Sequence, residues 1–381
     1  MDSTFNVLIV GAGEINFGSV EGPWNHASLS LRLERILGPR LRVVGLIDPD
    51  AARADVALTS KLASPAASSW KDCKALPSVA AAAGVLALGA LPRLAIVGAP
   101  PGVRGSDEPG RDLELQLARA FPGCALFVEK PVSSGGAEGC WRVARELAAR
   151  GTLVGVGYML RYLKGGREAI AAEGLVVMGT NVRYVMAYEY ARKPAWWDKT
   201  ISGGAIVEQA THFCDLSRYF AGDVHLPSVV AHSVQHHEPP GHLSAKRFDE
   251  DPIPAENRLP RLTSATWKYT HGAVGTLTHV IALHGTTYDT ELDVYADGYH
   301  FKLVDLYSAP TLSIRMPGAD DPFETELATF IDVVDGRRPR DAIQSSYADA
   351  IGTYELTWAI RRASERAADE YGIAPGAAGD S

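Results

Sequence analysis

Two short stretches of the sequence carry charged and titratable side chains that could move a proton on a substrate. The first is FVEKP, residues 127–131, where an apolar run ends on Glu129 and Lys130 before Pro131. Charges at the end of a buried strand are costly unless they are paired or face a cleft. An ordinary salt bridge at a strand end would also explain this pair, so this stretch alone leaves both interpretations open.

The second stretch is SGGAIVEQATHFCDLSRYF, residues 202–220. After a Gly-Gly turn, the pattern predicts one helix with Glu208, His212 and Asp215 at positions i, i+4 and i+7 of the same face. A carboxylate beside an imidazole forms a tunable acid/base pair, although a solvated pair on a helix surface is the alternative. We predict no metal site, because the HExxH order is absent and no third convincing ligand is present.

The elements that must position these stretches follow two different patterns. Apolar runs such as FNVLIV, LRVVGLI and CALFV alternate with helical segments over about the first 150 residues, which is typical of a doubly wound parallel sheet. After Tyr158 the segments alternate apolar and polar residues, which favours antiparallel strands with a hairpin at Asp297-Gly298. Two amphipathic helices follow. We therefore predict an α/β fold with a Rossmann domain over 1–156. We also predict a C-terminal α+β domain over 157–381, with a large, mainly antiparallel open sheet and terminal helices within 322–367.

A glycine-rich turn follows the first strand. Gly11 and Gly13 match the first two glycines of G-x-G-x-x-G, and Asn16 replaces the third, where its tolerance of left-handed geometry keeps the turn feasible. Such a turn can also precede any helix. The second strand ends in Asp48, whose carboxylate can accept hydrogen bonds from ribose hydroxyls and would repel a 2′-phosphate. These residues favour NAD, while Arg53 keeps NADP possible.

Composition and charge exclude several classes of protein. The net charge of -8 is not concentrated in a basic patch, so we predict no nucleic-acid partner. The apolar segment 76–99 is interrupted by glycines, Pro92 and Arg93, so we predict no membrane span. No signal peptide is recognisable, and no cysteine spacing suits a metal, so we expect a cytoplasmic protein with reduced thiols.

Taken together, the motifs resemble the Gfo/Idh/MocA oxidoreductases, typified by glucose–fructose oxidoreductase and inositol dehydrogenase. The resemblance is in the N-terminal GxG, the Glu-Lys-Pro near residue 130 and the GG…E…H..D pattern near residue 210. It implies a nicotinamide cofactor, a small sugar-like substrate and a homodimer or homotetramer formed through the C-terminal sheet. It also implies that Lys130 is the catalytic lysine and His212 the catalytic histidine, with Glu208 at a position more often Asp.

These observations give a set of predicted site residues. Catalysis is expected at Lys130, His212 and Glu208. We predict cofactor contacts at Gly11, Gly13, Glu14, Ile15, Asn16, Asp48, Ala99, Pro100, Glu129 and Lys130. We predict substrate contacts at Tyr158, Arg161, Trp197, Glu208, His212 and Asp215. The aromatic pair Trp196-Trp197 could form a pocket wall or simply pack in the interior.

The predicted function is NAD(P)-dependent hydride transfer between nicotinamide C4 and a carbinol or carbonyl carbon of a sugar, polyol or sugar-like metabolite. Lys130 and His212 would act as the acid/base pair. Three alternatives share the fold: a redox-neutral NAD-dependent epimerase or glycosidase, a biosynthetic imine or ketone reductase, and a non-catalytic sugar-sensing regulator.

Overall fold

A computed structural model describes residues 4–18, 28–86, 90–163, 174–304, 311–312 and 321–372. The described residues form two compact units, one within 1–162 and 321–351 and the other within 163–320 and 352–381. The interval from Gly11 to Asp48 is longer than usual, which favours a flap near the cofactor around residues 19–28. Residues 19–27 and the tail 373–381 lie outside the described residues. In the described part of the chain, no helix is long and apolar enough to cross a membrane.

The first unit contains a six-stranded sheet with strand order β3-β2-β1-β4-β5-β6, in which all neighbours are parallel. This order is that of a Rossmann fold, and the predicted doubly wound sheet is confirmed. Its strands are β1 Phe5–Val10, β2 Leu41–Ile47, β3 Lys74–Leu76, β4 Leu94–Val97, β5 Ala125–Val128 and β6 Val154–Val156. Its α-helices are Glu14–Phe17, Leu29–Leu37, Ala51–Leu62, Ala67–Trp70, Val79–Val85, Leu113–Ala120, Ala137–Ala149 and Pro322–Val334.

The core of this unit surrounds the parallel strands, whose apolar runs are buried because helices cover both faces of such a sheet. The helix Pro322–Val334 also belongs to this core. Its apolar residues Leu327, Phe330 and Ile331 are buried in the same cluster as the strands, and Phe330 meets Phe127 of β5 edge-on at 5.7 Å. We had assigned this helix to the second domain, but its apolar face packs with the first unit.

The second unit contains a seven-stranded sheet with order β13-β12-β11-β7-β10-β9-β8. All its neighbouring pairs are antiparallel except β7 and β10, so the predicted mainly antiparallel sheet is confirmed. The hairpin at Asp297-Gly298 joins β11 to β12, and Gly298 has a φ of 75°. The strands are β7 Val177–Ala187, β8 Val230–Val234, β9 Leu262–Lys268, β10 Val274–Leu283, β11 Asp289–Ala296, β12 Tyr299–Val304 and β13 Thr311–Leu312.

Short helices and a long excursion surround this second sheet. The prolines and mixed charges of residues 236–262 favour an ordered excursion or a lid-like loop. This segment contains a buried ion pair between Arg261 and Glu250, 2.6 Å apart. Helix Thr211–Ala221 packs on β7 through Phe213, whose ring meets Tyr184 edge-on at 5.1 Å. The α-helices are Pro194–Trp197, Lys199–Ser202, Ala205–Glu208 and Thr211–Ala221, and the helix Tyr347–Tyr371 runs from the first unit into the second.

Candidate active site

The glycine turn after β1 has the geometry that a dinucleotide phosphate requires. Gly11 has a φ of 95°, and a Cβ built on it would lie 3.0 Å from the backbone of Gly98 and Ala99, so only glycine fits. Gly13 precedes the short helix Glu14–Phe17, and a Cβ there would meet nothing within 4 Å. The backbone at Gly13 therefore faces open space, and this turn fits a bound pyrophosphate.

Asn16 does not adopt the left-handed geometry that we expected of it. It lies in the helix Glu14–Phe17, is fully buried, and its side-chain nitrogen donates to the carbonyls of Val10 and Gly11 at 3.2 and 2.7 Å. A Cβ on Gly98 would lie only 2.5 Å from that nitrogen. Gly98 after β4 thus makes room for Asn16, and the space that a third glycine would leave empty is filled by an amide.

The carboxylate of Asp48 ends β2 and is almost completely buried. It accepts hydrogen bonds from the backbone N–H groups of Ala12 at 2.7 Å and Asp50 at 2.8 Å, and from the guanidinium of Arg53 at 2.7 and 3.2 Å. Burial acts to raise the pKa of Asp48, but these donors outweigh it and the pKa is lowered. Asp48 is therefore ionised and tied to the glycine turn.

Glu129 and Lys130 follow β5 at the carboxyl edge of the parallel sheet, the edge to which Gly11, Asp48, Ala99 and Pro100 also belong. Glu129 is 8% exposed, and burial raises its pKa, while the charges of Lys130 and Arg104 oppose that shift. Lys130 is half-buried, and its peptide bond to Pro131 is cis. The predicted cofactor residues of this unit are therefore gathered along one strand edge, with Lys130 among them.

A buried polar cluster behind this edge was missed by sequence reasoning. Arg104 is fully buried; its guanidinium donates to the carbonyl of Ala99 at 2.9 Å and to that of Lys130 at 3.5 Å. Glu114 accepts from the backbone N–H of Gly105 and the hydroxyl of Tyr347, both at 3.0 Å. Burial lowers the pKa of Arg104 and raises that of Glu114, and their opposite charges moderate both shifts. The cluster connects the loops after β4 and β5.

Helical periodicity over 205–221 correctly indicated helix, but the prediction of one continuous helix was wrong. The structure has a helix Ala205–Glu208 and a second helix Thr211–Ala221, separated by Gln209 and Ala210. The backbone N–H groups of Gln209 and Ala210 both donate to the carbonyl of Ala205, so the hydrogen-bond ladder shifts by one residue there. Glu208 and His212 consequently belong to different helices and do not share one regular face.

A histidine on a strand explains why the break lies at this point. His279 of β10 is fully buried, stacks on Tyr184 at 5.1 Å, and donates from Nε2 to the side-chain oxygen of Gln209 at 2.7 Å. Burial lowers the pKa of His279 to about 4, with a small opposing effect of the Glu208 charge. In the sequence, this contact is indicated only by Gln209, a polar residue next to Glu208 in the predicted helix.

The two adjacent tryptophans have different environments. Trp197, which we predicted to contact substrate, is fully buried, donates to the carbonyl of Ala191 at 2.8 Å and stacks on Phe248. Trp196 is only partly buried, and its indole N–H donates to the Glu208 carboxylate at 3.0 Å. Trp196, rather than Trp197, therefore borders the candidate acid/base residues, because the short helix Pro194–Trp197 turns its second tryptophan inward.

Two other predicted substrate residues have structural partners within their own units. Asp215 is fully buried and accepts from Thr353 at 2.9 Å. Arg161 donates to the carbonyl of Gln344 and forms an ion pair with Asp349. Tyr158 is 1% exposed. His212 retains 7% exposure at the start of its helix.

The described cysteines and histidines outside these stretches do not form a metal centre. All four cysteines are free, and burial raises the pKa of Cys214, which lies in the His212 helix. Among the residues that the structure describes, no group of three His, Cys, Asp or Glu side chains is arranged to hold a metal ion.

Known proteins are similar to this chain over nearly its whole length. The model described as "Oxidoreductase family, NAD-binding Rossmann fold" matches residues 5–158, and an oxidoreductase C-terminal domain model matches residues 159–299. Two uncharacterized proteins of Schizosaccharomyces pombe are similar in sequence. C12C2.04 is 43% identical, covering 93% of this chain and 95% of its own length, and UNK4.17 is 42% identical, covering 94% and 91%.

Solved structures share the fold at low sequence identity. The WlbA dehydrogenase of Bordetella pertussis, in complex with NADH and UDP-GlcNAcA, aligns with a TM-score of 0.67 at 15% identity, covering 95% of this chain and 97% of its own. A myo-inositol dehydrogenase of Corynebacterium glutamicum aligns with a TM-score of 0.63 at 17% identity and the same coverage.

Proposed function

This chain belongs to the Gfo/Idh/MocA family of oxidoreductases with an NAD-binding Rossmann fold, and on that premise we propose the reaction that it catalyses. We propose hydride transfer between nicotinamide C4 and a carbinol or carbonyl carbon of a sugar, polyol or sugar-like metabolite. The bound nicotinamide would supply the hydride acceptor or donor. The residues of the chain would bind it, orient the substrate and move the proton.

The observation that carries this proposal is the position of Lys130. It lies two residues after β5 at the ligand-binding edge of the parallel sheet, and Arg104 donates to its carbonyl. In the direction of oxidation, His212 would take the hydroxyl proton. Lys130 would donate a hydrogen bond to the same oxygen and stabilise its developing negative charge. In reduction the two roles reverse.

The substrate class is supported by the surroundings of Glu208 and by the solved relatives. Trp196 is partly exposed with its indole edge held by Glu208, and an aromatic face suits the apolar side of a sugar ring. Of the two solved relatives, one binds UDP-GlcNAcA together with NADH, and the other is a myo-inositol dehydrogenase. We propose that Glu208 accepts hydrogen bonds from substrate hydroxyls while it keeps its bond to Trp196.

A turnover screen with two variants tests this function. NAD⁺ and NADP⁺ are offered with polyols, aldoses and nucleotide sugars, and NADH and NADPH with ketones and cyclic imines. With the substrate so found, Lys130→Met and His212→Asn should each lower kcat by about 10²–10⁴-fold, because each removes a proton-transfer or charge-stabilising group. NADH affinity, measured by fluorescence, should change little in either variant.

Matched controls come from exposed residues of the same types. Lys71→Met and His225→Asn should leave both turnover and NADH binding unchanged. Wild-type turnover in Lys130→Met or His212→Asn would contradict the assigned roles. Tightly bound cofactor with product formed but no net NADH would instead indicate the redox-neutral alternative.

A further inference from the structure

The carboxylate of Asp48 is saturated by partners from the protein itself. A carboxylate has about four acceptor positions on its two oxygens. Oδ1 accepts from the backbone N–H of Asp50 and from Nη2 of Arg53, and Oδ2 accepts from the backbone N–H of Ala12 and from Nε of Arg53. No acceptor position is left for a ribose hydroxyl while Arg53 stays in place.

Arg53 itself is not saturated. Its side chain is 51% exposed, and two of its five N–H groups are used by Asp48. Nη1 lies 4.0 Å from the exposed carboxylate of Asp50, which is outside hydrogen-bonding distance. The ion pair neutralises Asp48 and directs the remaining guanidinium donors toward solvent, at the strand end where dinucleotide-binding folds recognise the adenosine ribose.

We propose that Arg53, rather than Asp48, contacts the 2′ position of the adenosine ribose, and that this chain consequently binds NADPH with an affinity within about tenfold of that for NADH. A guanidinium recognises a phosphate through short, charge-assisted hydrogen bonds. Asp48 acts here as an anchor that orients Arg53 and ties it to the glycine turn through Ala12. The inference rests on the dinucleotide-binding part of the proposed function and is independent of the substrate.

The sequence alone favoured the opposite preference, because a carboxylate at the end of β2 is expected to accept the ribose hydroxyls and repel a 2′-phosphate. Only the conformation of the Arg53 side chain reverses that argument. Asp50 supplies an opposing negative charge, which is half-exposed and therefore partly screened by solvent. Asp50→Asn should accordingly tighten NADPH binding and leave NADH binding nearly unchanged.

Equilibrium titrations of the full chain with NADH and NADPH, followed by nicotinamide fluorescence, test the proposal without a substrate. Wild type should bind the two within about tenfold of each other. Arg53→Ala should weaken NADPH binding by about tenfold or more, while NADH binding weakens less than about twofold or tightens as Asp48 becomes available. Arg42→Ala is the matched control, since Arg42 lies in β2, the strand that precedes Asp48, and pairs with Asp72 on the surface.

The outcomes separate the inference from the function on which it rests. A wild-type preference for NADH above about tenfold, or an equal loss of both cofactors in Arg53→Ala, overturns the role of Arg53. Binding of neither dinucleotide by the wild type overturns the proposed function and the inference with it. Thermal unfolding of each variant shows whether the fold is retained. Arg53→Lys keeps the charge but loses the bidentate geometry, so its NADPH affinity should fall between those of the wild type and Arg53→Ala.

Discussion

Charged residues at the end of β5 are tolerated because the protein compensates them locally. Glu129 is buried beside the positive charges of Lys130 and Arg104, and Arg104 is in turn buried beside Glu114. Removing one partner of such a set leaves an uncompensated charge in the interior, which is more costly than the intact set. Glu129 and Lys130 therefore belong to a larger cluster of compensating charges that includes Arg104 and Glu114.

The two adjacent tryptophans should respond differently to truncation. Trp197→Ala should lower the free energy of unfolding by about 3–5 kcal/mol, because it empties a fully buried site. Trp196→Ala should change stability much less and instead lower kcat/KM, because it removes the donor to Glu208. Denaturant unfolding and turnover of the two variants make this comparison, and each serves as the other's control. Equal destabilisation by both would contradict the division of roles.

At the scale of elements, the break between helices Ala205–Glu208 and Thr211–Ala221 matters more than their helicity. His279 reaches from β10 to Gln209 within the break, and Tyr184 of β7 stacks on His279 while its edge meets Phe213. Two neighbouring strands thus hold the segment that carries Glu208 and His212. His279, seventy positions after Gln209 in the chain, thus helps to fix the geometry of the segment between the two helices.

The burial of His279 predicts a pH dependence of stability. Its pKa is about 4 in the folded protein against 6.5 ordinarily, so the unfolded chain binds a proton over this interval that the folded chain does not. The free energy of unfolding should therefore fall as the pH is lowered from about 6.5 to about 4. His279→Phe, which keeps an aromatic ring on Tyr184, should show a shallower decline.

Urea unfolding across this pH range measures the effect. His236, whose pKa burial also lowers to about 4, still contributes in the variant, so the decline should be reduced and not abolished. The exposed His225→Phe is the control and should retain the full wild-type decline. Identical slopes for wild type and His279→Phe would refute the assignment.

For the whole molecule, the second sheet has two unlike faces. Helix Thr211–Ala221 packs on one face, while the other displays exposed side chains such as Asn181, Arg183 and Asp289. Arg183 pairs with Asp289 and Glu291 across the neighbouring strand. An open sheet face of this extent is suited to pairing with a second copy, as the family resemblance implies.

We predict that the chain is a homodimer or homotetramer in solution. Light scattering coupled to size exclusion should give a mass of at least twice 40.8 kDa. Charge reversal of Arg183 to Glu should lower that mass, because it places three like charges together on the sheet face. Arg150→Glu, on an exposed helix end of the first unit, is the matched control. A single species of 40.8 kDa for the wild type would contradict the prediction.

The fold class and the strand edge of the candidate site could be predicted from the sequence. Period-2 and period-3.6 patterns reflect which faces are buried, and the carboxyl edge of a parallel sheet follows from chain direction, so Gly11, Asp48 and Lys130 could be assigned to one edge. The sequence also showed that Glu208 and His212 are close along the chain. These properties depend on neighbours within a few residues.

The partner of each polar side chain depends on the tertiary structure and could not be predicted. Arg53 closes on Asp48, Trp196 and not Trp197 reaches Glu208, and Gln209 meets a histidine of a distant strand. Helix Pro322–Val334 joins the first unit for the same reason, through contacts with residues some two hundred positions away. Buried polar groups form hydrogen bonds with whichever partners the fold brings near, and the local periodicity of a sequence does not identify those partners.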